Sequence, residues 1–422
     1  MVRRSGEVFL AFLRLGVTSF GGPIAHLGYF RDEFVARRRW LTDEAYADLV
    51  ALCQFLPGPA SSQVGFALGW RRAGLLGAIA AFLAFTLPSA IILVAVALGA
   101  QLLESPIAVA VLGGLKVVAV AIVAQAVLGM ARNLTPDARR AAIAVGAVLV
   151  VLVIGGTLGQ VAAIVLGAGL GLWLCRGVGP GAAASGAAGS ASAPGMDGTN
   201  ATPAPGTQLT GVAVQPWAGW VALAAFVLLL VGLPLAVALG AGGPVAVIDG
   251  FYRAGALVFG GGHVVLPLLE TEVVGRGWVT ADEFLTGYGA AQAVPGPLFT
   301  FAAYLGAVLS VEPTGLAGAA VALVAIFLPG FLLLVAVLPR WERLRGGRLV
   351  RAAMHGANAA VVGLLAAALY DPVFVSGITG PAQFGLGVLC FVLLVALRVP
   401  SWAVVLVGAG GGIAVAALTG GL

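Results

Sequence analysis

The sequence predicts an all-α, polytopic transmembrane protein built from two inverted repeats with broken or re-entrant helices. Three observations carry that expectation. Hydrophobic residues make up 60% of the 422 and charged residues 9%, with a mean hydropathy of +1.07. Soluble domains are about a quarter charged, so this chain cannot clothe a core in polar side chains. Apolar stretches close to the ~20 residues that cross a bilayer follow one another along most of its length. Finally, an ordered set of motifs in the first half returns in the second.

In chain order, Arg3 and Arg4 precede an apolar stretch that Arg14 interrupts. No clear cleavage site follows, so the start reads as part of the mature protein and not as a signal peptide. Uninterrupted spans are expected over 74–100, 106–130, 139–155, 158–175, 216–240, 315–338, 353–371, 382–397 and 401–419. Four further apolar segments, 7–30, 47–70, 247–270 and 284–310, are broken near the middle. The breaks are Gly21-Gly22-Pro23, Pro57-Gly58-Pro59, Gly260-Gly261-Gly262 and Pro295-Gly296-Pro297. Residues 177–215 are Gly, Ala, Ser, Pro and Thr with almost no large apolar side chain, a composition that buries too little surface to fold. The organisation expected is a repeat over 1–176, a flexible linker over 177–215, an extra transmembrane helix over 216–246 and a second repeat over 247–422.

The duplication is read from spacing. Phe12, Arg14, Gly16, Phe20, Gly21 and Gly22 return as Phe251, Arg253, Gly255, Phe259, Gly260 and Gly261, a constant step of 239 (253 − 14). Gln54 and Pro57-Gly58-Pro59 return as Gln292 and Pro295-Gly296-Pro297, Leu87-Pro88 as Leu328-Pro329, and Gly114 as Gly356. Six segments per copy plus the extra helix set the copies an odd number of segments apart, so they are expected to insert upside down relative to each other. Inverted repeats with discontinuous helices are an architecture of secondary transporters, with substrate held near the midplane.

Of the 22 basic residues Lys116 is the only lysine, and the arginines fall between apolar segments, as topogenic charges do. A net charge of +5 therefore reads as orientation signal and not as a nucleic-acid surface. With an internal N-terminus most loop arginines, from Arg71 and Arg72 to Arg398, fall inside. The group Arg31, Arg37, Arg38 and Arg39 joins them only if each broken segment enters and returns on one side. That re-entrant arrangement is favoured; full broken spans are the alternative. Cys53, Cys175 and Cys390 are too scattered for a metal cluster or a disulfide framework, and the three histidines form no ligand pair. No cofactor is expected.

Within a bilayer, irregular backbone is tolerated only where protein or a wet cavity covers it. A proline after a glycine break is suited to start a helix, whose first N–H groups then face the break and favour an anion. Gly21, Gly22, Gly58, Gly260, Gly261 and Gly296 are thus candidate oxyanion contacts, with Ser61, Ser62 and Thr300 as added donors. Lys116, near the centre of its span, either faces the anion or pairs with a carboxylate; its counterpart in the second copy is Asn358. Arg14 and Arg253 offer planar forks to an oxyanion or snorkel to the interface. Gln54 and Gln292 are neutral donors or partners of the broken backbone. His26 and His263 follow the breaks, as substrate contacts or as donors to a nearby carbonyl. Glu33, Asp43, Glu44, Asp282 and Glu283 lie in amphipathic connectors and are expected to be solvated.

The motifs Phe20-Gly21-Gly22-Pro23, Gln54-Phe55-Leu56-Pro57-Gly58-Pro59, Phe259-Gly260-Gly261-Gly262-His263 and Gln292-Ala293-Val294-Pro295-Gly296-Pro297 resemble the paired motifs of the chromate ion transporter family, in its long two-domain form. The resemblance covers both halves and leaves out the linker and the extra helix. It implies transport of chromate across a bacterial inner membrane, usually as efflux that confers chromate resistance, with a link to isosteric sulfate. The residues themselves specify an anion site and not chromium.

The expectation is therefore a multi-pass secondary transporter of chromate or a sulfate-like oxyanion, surrounded by membrane lipid, with a homodimer left open. No Walker-type phosphate loop is present, so ATP is not the direct energy source. Transport of sulfate or another anion is the alternative. An intramembrane lipid-phosphate enzyme is more remote, because no nucleophile–base–acid set recurs near the breaks.

Overall fold

The computed structural model describes residues 2–100, 105–176, 212, 214–341 and 347–419. The expected linker, 177–215, lies outside the described residues except for 212, 214 and 215. All regular structure among the described residues is helical, and seven helices are long and apolar enough to cross a membrane.

The first half runs α1 (Val2–Thr18), α2 (Gly22–Phe30, continued by a π turn Arg31–Arg37), α3 (Asp43–Phe55), α4 (Ala60–Ala100), α5 (Pro106–Leu134), α6 (Ala138–Ile154) and α7 (Gly156–Leu174). After α8 (Pro216–Ala238) the second half runs α9 (Pro244–Ala256), α10 (Val265–Val273), α11 (Ala281–Ala291), α12 (Phe301–Val308), α13 (Gly315–Val337), α14 (Arg348–Ala368), α15 (Pro381–Val395) and α16 (Ser401–Thr419). The halves correspond element by element once α4 is divided. Ala73 and Gly74 leave helical geometry and the chain doubles back, so that Gly69 abuts Gly77. In the second half the same reversal separates α12 from α13, with Gly306 against Gly318. The extra helix ends at Ala238, and the second copy begins at Pro244, three residues ahead of 247.

Local chemistry sets the helix starts. Thr42 and Ser105 accept hydrogen bonds from the amides of Ala45 and Ala108. Asp137 accepts from Arg139 and Arg140, and Thr280 with Glu283 closes a capping box. Prolines occupy the first turns of α5, α8, α9 and α15, where a missing N–H costs nothing.

Each broken segment returns to the end from which it entered. Glu7 near the start of α1 pairs with Arg38 after α2 (3.5 Å) and with Arg72 at the end of the α4 first arm (2.8 Å). Trp40 lies beneath both guanidinium groups. At the corresponding place in the second half, the Ser310 amide after α12 donates to the carbonyl of Trp278 before α11 (2.9 Å). This turning back is the geometry that the re-entrant arrangement requires. Glu33, expected to be solvated, is instead only 8% exposed. The π turn tucks it inward, and Arg37 (2.9 Å) and Arg38 (2.6 Å) compensate its charge.

The core joins the halves instead of dividing between them. The long α5 packs on α15 and α16 of the second half, while α14 packs on α6 and α7 of the first. Small residues permit these contacts: a Cβ on Gly114 would strike the Gly408 carbonyl, and one on Gly356 the Gly167 carbonyl. Aromatic rings fill the seam between α4 and α13, where Phe66 stacks on Phe331 at 4.4 Å and Phe82 meets Phe327 at 5.1 Å. By contrast α8 lies on the outside, with Trp217 67% and Leu228 71% exposed.

Candidate functional site

The four breaks converge on one another. The Gly58 amide donates to the Val258 carbonyl at 2.8 Å, and the Gly296 amide donates to the Ser19 carbonyl at 2.9 Å. Ser19 and Val258 occupy matching positions in the two copies, as do Gly58 and Gly296. Each half thus supplies an acceptor at its first break to the donor at the second break of the other. Both donors need a left-handed backbone, with φ of 112° at Gly58 and 103° at Gly296, which glycine adopts without a Cβ penalty. The first and third breaks also touch, since Pro23 Cγ lies 3.1 Å from where a Cβ on Gly262 would stand.

Around this crossing lie donors without protein partners. The N-termini of α2 and of the 3-10 turns Gly262–Val264 and Leu298–Thr300 carry no side-chain cap. Gly21, Gly260 and Gly261 are exposed and Gly22 is half-buried. Ser19 Oγ, Ser62 Oγ, Thr86 Oγ1 and Gln292 Nε2 are buried donors with no hydrogen-bond partner, and Asn358 Oδ1 is a buried acceptor without one. Asn358 Oδ1 lies 3.6 Å from the position of a Cβ on Gly260. No carboxylate lies within the four breaks. Uncapped amides, hydroxyls and amide groups without an acid suit an anion, and the described residues hold no cluster of metal-ligating side chains.

The two crossings differ in polarity. In the first half His26, fully buried, bridges the Ser19 carbonyl (3.2 Å) and Ser61 Oγ (3.4 Å). Ser89 Oγ donates to the Thr86 carbonyl. The matching positions in the second half are Val258, Val265, Phe299, Phe327 and Gly330. Gln63 ties the other crossing by donating to the carbonyls of Pro57 (3.0 Å) and Gly330 (2.9 Å).

The remaining candidates fall in several places. Arg253 is committed to carboxylates: it contacts Asp249, lies 3.6 Å from Glu272, and shares both acids with Arg276. Thr157 donates to Glu272 at 2.9 Å. Arg14, its counterpart, is exposed. Gln54 is exposed, whereas Gln292 is half-buried and its carbonyl accepts from Ser401 at 3.3 Å. Thr300 Oγ1 donates to the Pro297 carbonyl, and His263 Nδ1 lies 2.8 Å from the Tyr288 hydroxyl. Lys116 pairs with Asp282 at 2.9 Å. Asp282, expected to be only solvated, is 68% exposed yet holds that ion pair. A cavity of about 280 Å³ between α5, α16 and the turn before α15 descends as far as Lys116; no break residue lines it.

Sequence reasoning did not reach Ser19, Thr86 and Ser89. Their signal was position alone, beside the Gly21-Gly22 and Leu87-Pro88 motifs. The Asp282 partner of Lys116 carried none, because nothing in local spacing brings α11 onto α5.

A family model described as "Chromate transporter" matches residues 6–172 and 245–413. The chain is 27% identical over 391 residues to a chromate transport protein of Pseudomonas aeruginosa, covering 86% of this chain and 80% of that one. It is 29% identical over 374 residues to a probable chromate transport protein of Synechococcus elongatus, covering 85% and 82%. It is 27% identical over 370 residues to a chromate transport protein of Cupriavidus metallidurans, covering 86% and 81%. No solved structure matches the chain.

Proposed function

The chain belongs to the chromate transporter family, and from that premise we propose that it carries chromate across a bacterial inner membrane as a secondary transporter, in the direction of efflux. Its family is one of transporters and not enzymes, and the chain is a multi-pass membrane protein. The observation that carries the reading is the double crossing of Gly58 with Val258 and Gly296 with Ser19. There, uncapped N-termini and partnerless donors surround exposed glycines. A tetrahedral dianion satisfies such donors without a fixed cation. Gly21, Gly22, Gly260 and Gly261 present the backbone, and Ser62 and Gln292 supply side-chain donors.

Two inverted repeats are part of the proposal. At one end of α13, Gly318 abuts Gly306 next to Ser310 and Trp278. Just past the other end, Trp341 Nε1 donates to Asp48 of α3 at 3.2 Å. A helix of this length rises ~35 Å, enough to cross the ~30 Å bilayer core. This supports hairpins that enter from opposite faces, so that rocking one against the other alternates access to the crossing.

Flux of labelled chromate into proteoliposomes, with sulfate as competitor, tests the function. Saturable chromate uptake that exceeds sulfate uptake is expected. Equal flux in protein-free vesicles removes the chromate assignment, and preferential sulfate flux replaces it.

A further inference from the structure

On α14, Arg351, His355 and Asn358 recur at helical spacing and are half-buried, while Ala352, Gly356 and Ala359 beside them are buried. One face of the helix is therefore partly exposed along two turns. In the chain it follows the end of α13 at Trp341, which meets Asp48, and it finishes at Asn358, whose side-chain oxygen stands over exposed Gly260. Arg351 has no carboxylate partner among the described residues. His355 lies within electrostatic reach of both Arg351 and Arg140.

The same face of α5 in the first half carries Val109, Gly113 and Lys116. There α11 closes the route: Asp282 takes Lys116, and a Cβ on Gly289 would lie 2.5 Å from the Leu115 carbonyl. On α3 the residues matching Asp282, Leu285, Gly289 and Gln292 are Glu44, Ala47, Ala51 and Gln54, and all four are exposed. Among the described residues α3 does not pack on α14 as α11 packs on α5. One path to the breaks is sealed and its counterpart is open.

We infer that Arg351, His355 and Asn358 line the track by which the oxyanion reaches the Gly260 break, with Arg351 gathering the dianion and the Gly260–Gly261 backbone receiving it. The inference rests on the oxyanion-transport reading and adds to it the side and the residues of approach. A cationic mouth leading into a low-dielectric cleft raises the local concentration of an anion. Arg351 therefore governs capture and not the rate of the conformational step.

The test pairs kinetics with access. In proteoliposomes with chromate presented at the Arg351 end, Arg351→Gln is expected to raise KM about tenfold and flatten its dependence on ionic strength, with the maximal rate kept. Arg351→Lys should restore the affinity. Independently of transport, Asn358→Cys and His355→Cys should react with a membrane-impermeant maleimide from the Arg351 end only, with wild type as the blank because its described cysteines are buried. An unchanged KM and salt dependence in Arg351→Gln overturns the assignment, as does labelling absent or confined to the Asp282 end. Absence of chromate flux in wild type strikes the transport reading instead, and the labelling still decides whether the track is open.

Discussion

Lys116 Nζ lies 2.9 Å from Asp282 Oδ1, joining the middle of α5 to the first turn of α11. The side chains are 22% and 68% exposed, so solvent screens the pair and its worth to stability is at most about 1 kcal/mol. Its consequence lies in the docking of α11. Lys116→Met and Asp282→Asn are each expected to leave the melting temperature in detergent nearly unchanged while altering flux. The double variant should match either single one, because the same contact is lost in all three. Strictly additive effects on flux would show that the residues act separately.

Gly296 sits at φ 103°, and a Cβ there would stand 2.6 Å from Ser89 Oγ. Gly296→Ala is expected to cost about 1–2 kcal/mol from the backbone alone, plus the clash. The second copy has Gly330 where the first has Ser89, so Ser89→Gly should recover the steric part and not the rest. Folding yield and flux of Gly296→Ala with and without Ser89→Gly measure this. No recovery would mean that the backbone penalty accounts for the whole loss.

Asp249 and Glu272 are each 2% exposed and face Arg253 and Arg276. Removing one cation from such a cluster leaves buried negative charge, a loss of about 3–5 kcal/mol. Arg253→Gln should therefore unfold at much lower temperature than wild type, and Arg253→Gln with Asp249→Asn should regain most of the difference. Arg14→Gln, at the matching but exposed position, should melt like wild type. Thermal unfolding of all three variants decides it, and equal losses at Arg14 and Arg253 would contradict the cluster.

The proposed entrance of the two hairpins from opposite faces is open to labelling. Val35 lies between α2 and α3, and Gly277 between α10 and α11. Val35→Cys should react with an impermeant thiol reagent from the face that carries the N-terminus, and Gly277→Cys from the other. Reaction of both from one face would exclude inversion.

The repeat, the breaks and the spans were legible because each depends on local composition or on spacing along one copy. A glycine between two prolines, as at Gly58 and Gly296, marks a broken helix. What spacing does not carry is the partner across the fold. Arg14 and Arg253 are alike in sequence, yet one is exposed and the other held by two acids, because Asp249 stands where the first copy has Leu10 and because Glu33, which matches Glu272, pairs with Arg37 and Arg38 instead. The loss of Asp282 to Lys116, and the divergence of His26, Ser61 and Ser89 from Val265, Phe299 and Gly330, are likewise visible only once the copies are placed together.

The crossing of Gly58 with Val258 and of Gly296 with Ser19 has a bearing on how the protein is put together. Neither half closes its own breaks, and α5 and α14 each find their neighbours in the opposite half. A half expressed by itself would carry dangling amides into lipid and is expected to be cleared by proteolysis. Two fragments divided between Cys175 and Gln215 and produced in one cell should assemble into an active whole. The molecule is in this sense an obligate heterodimer whose subunits happen to share one polypeptide, and covalent continuity fixes their one-to-one ratio.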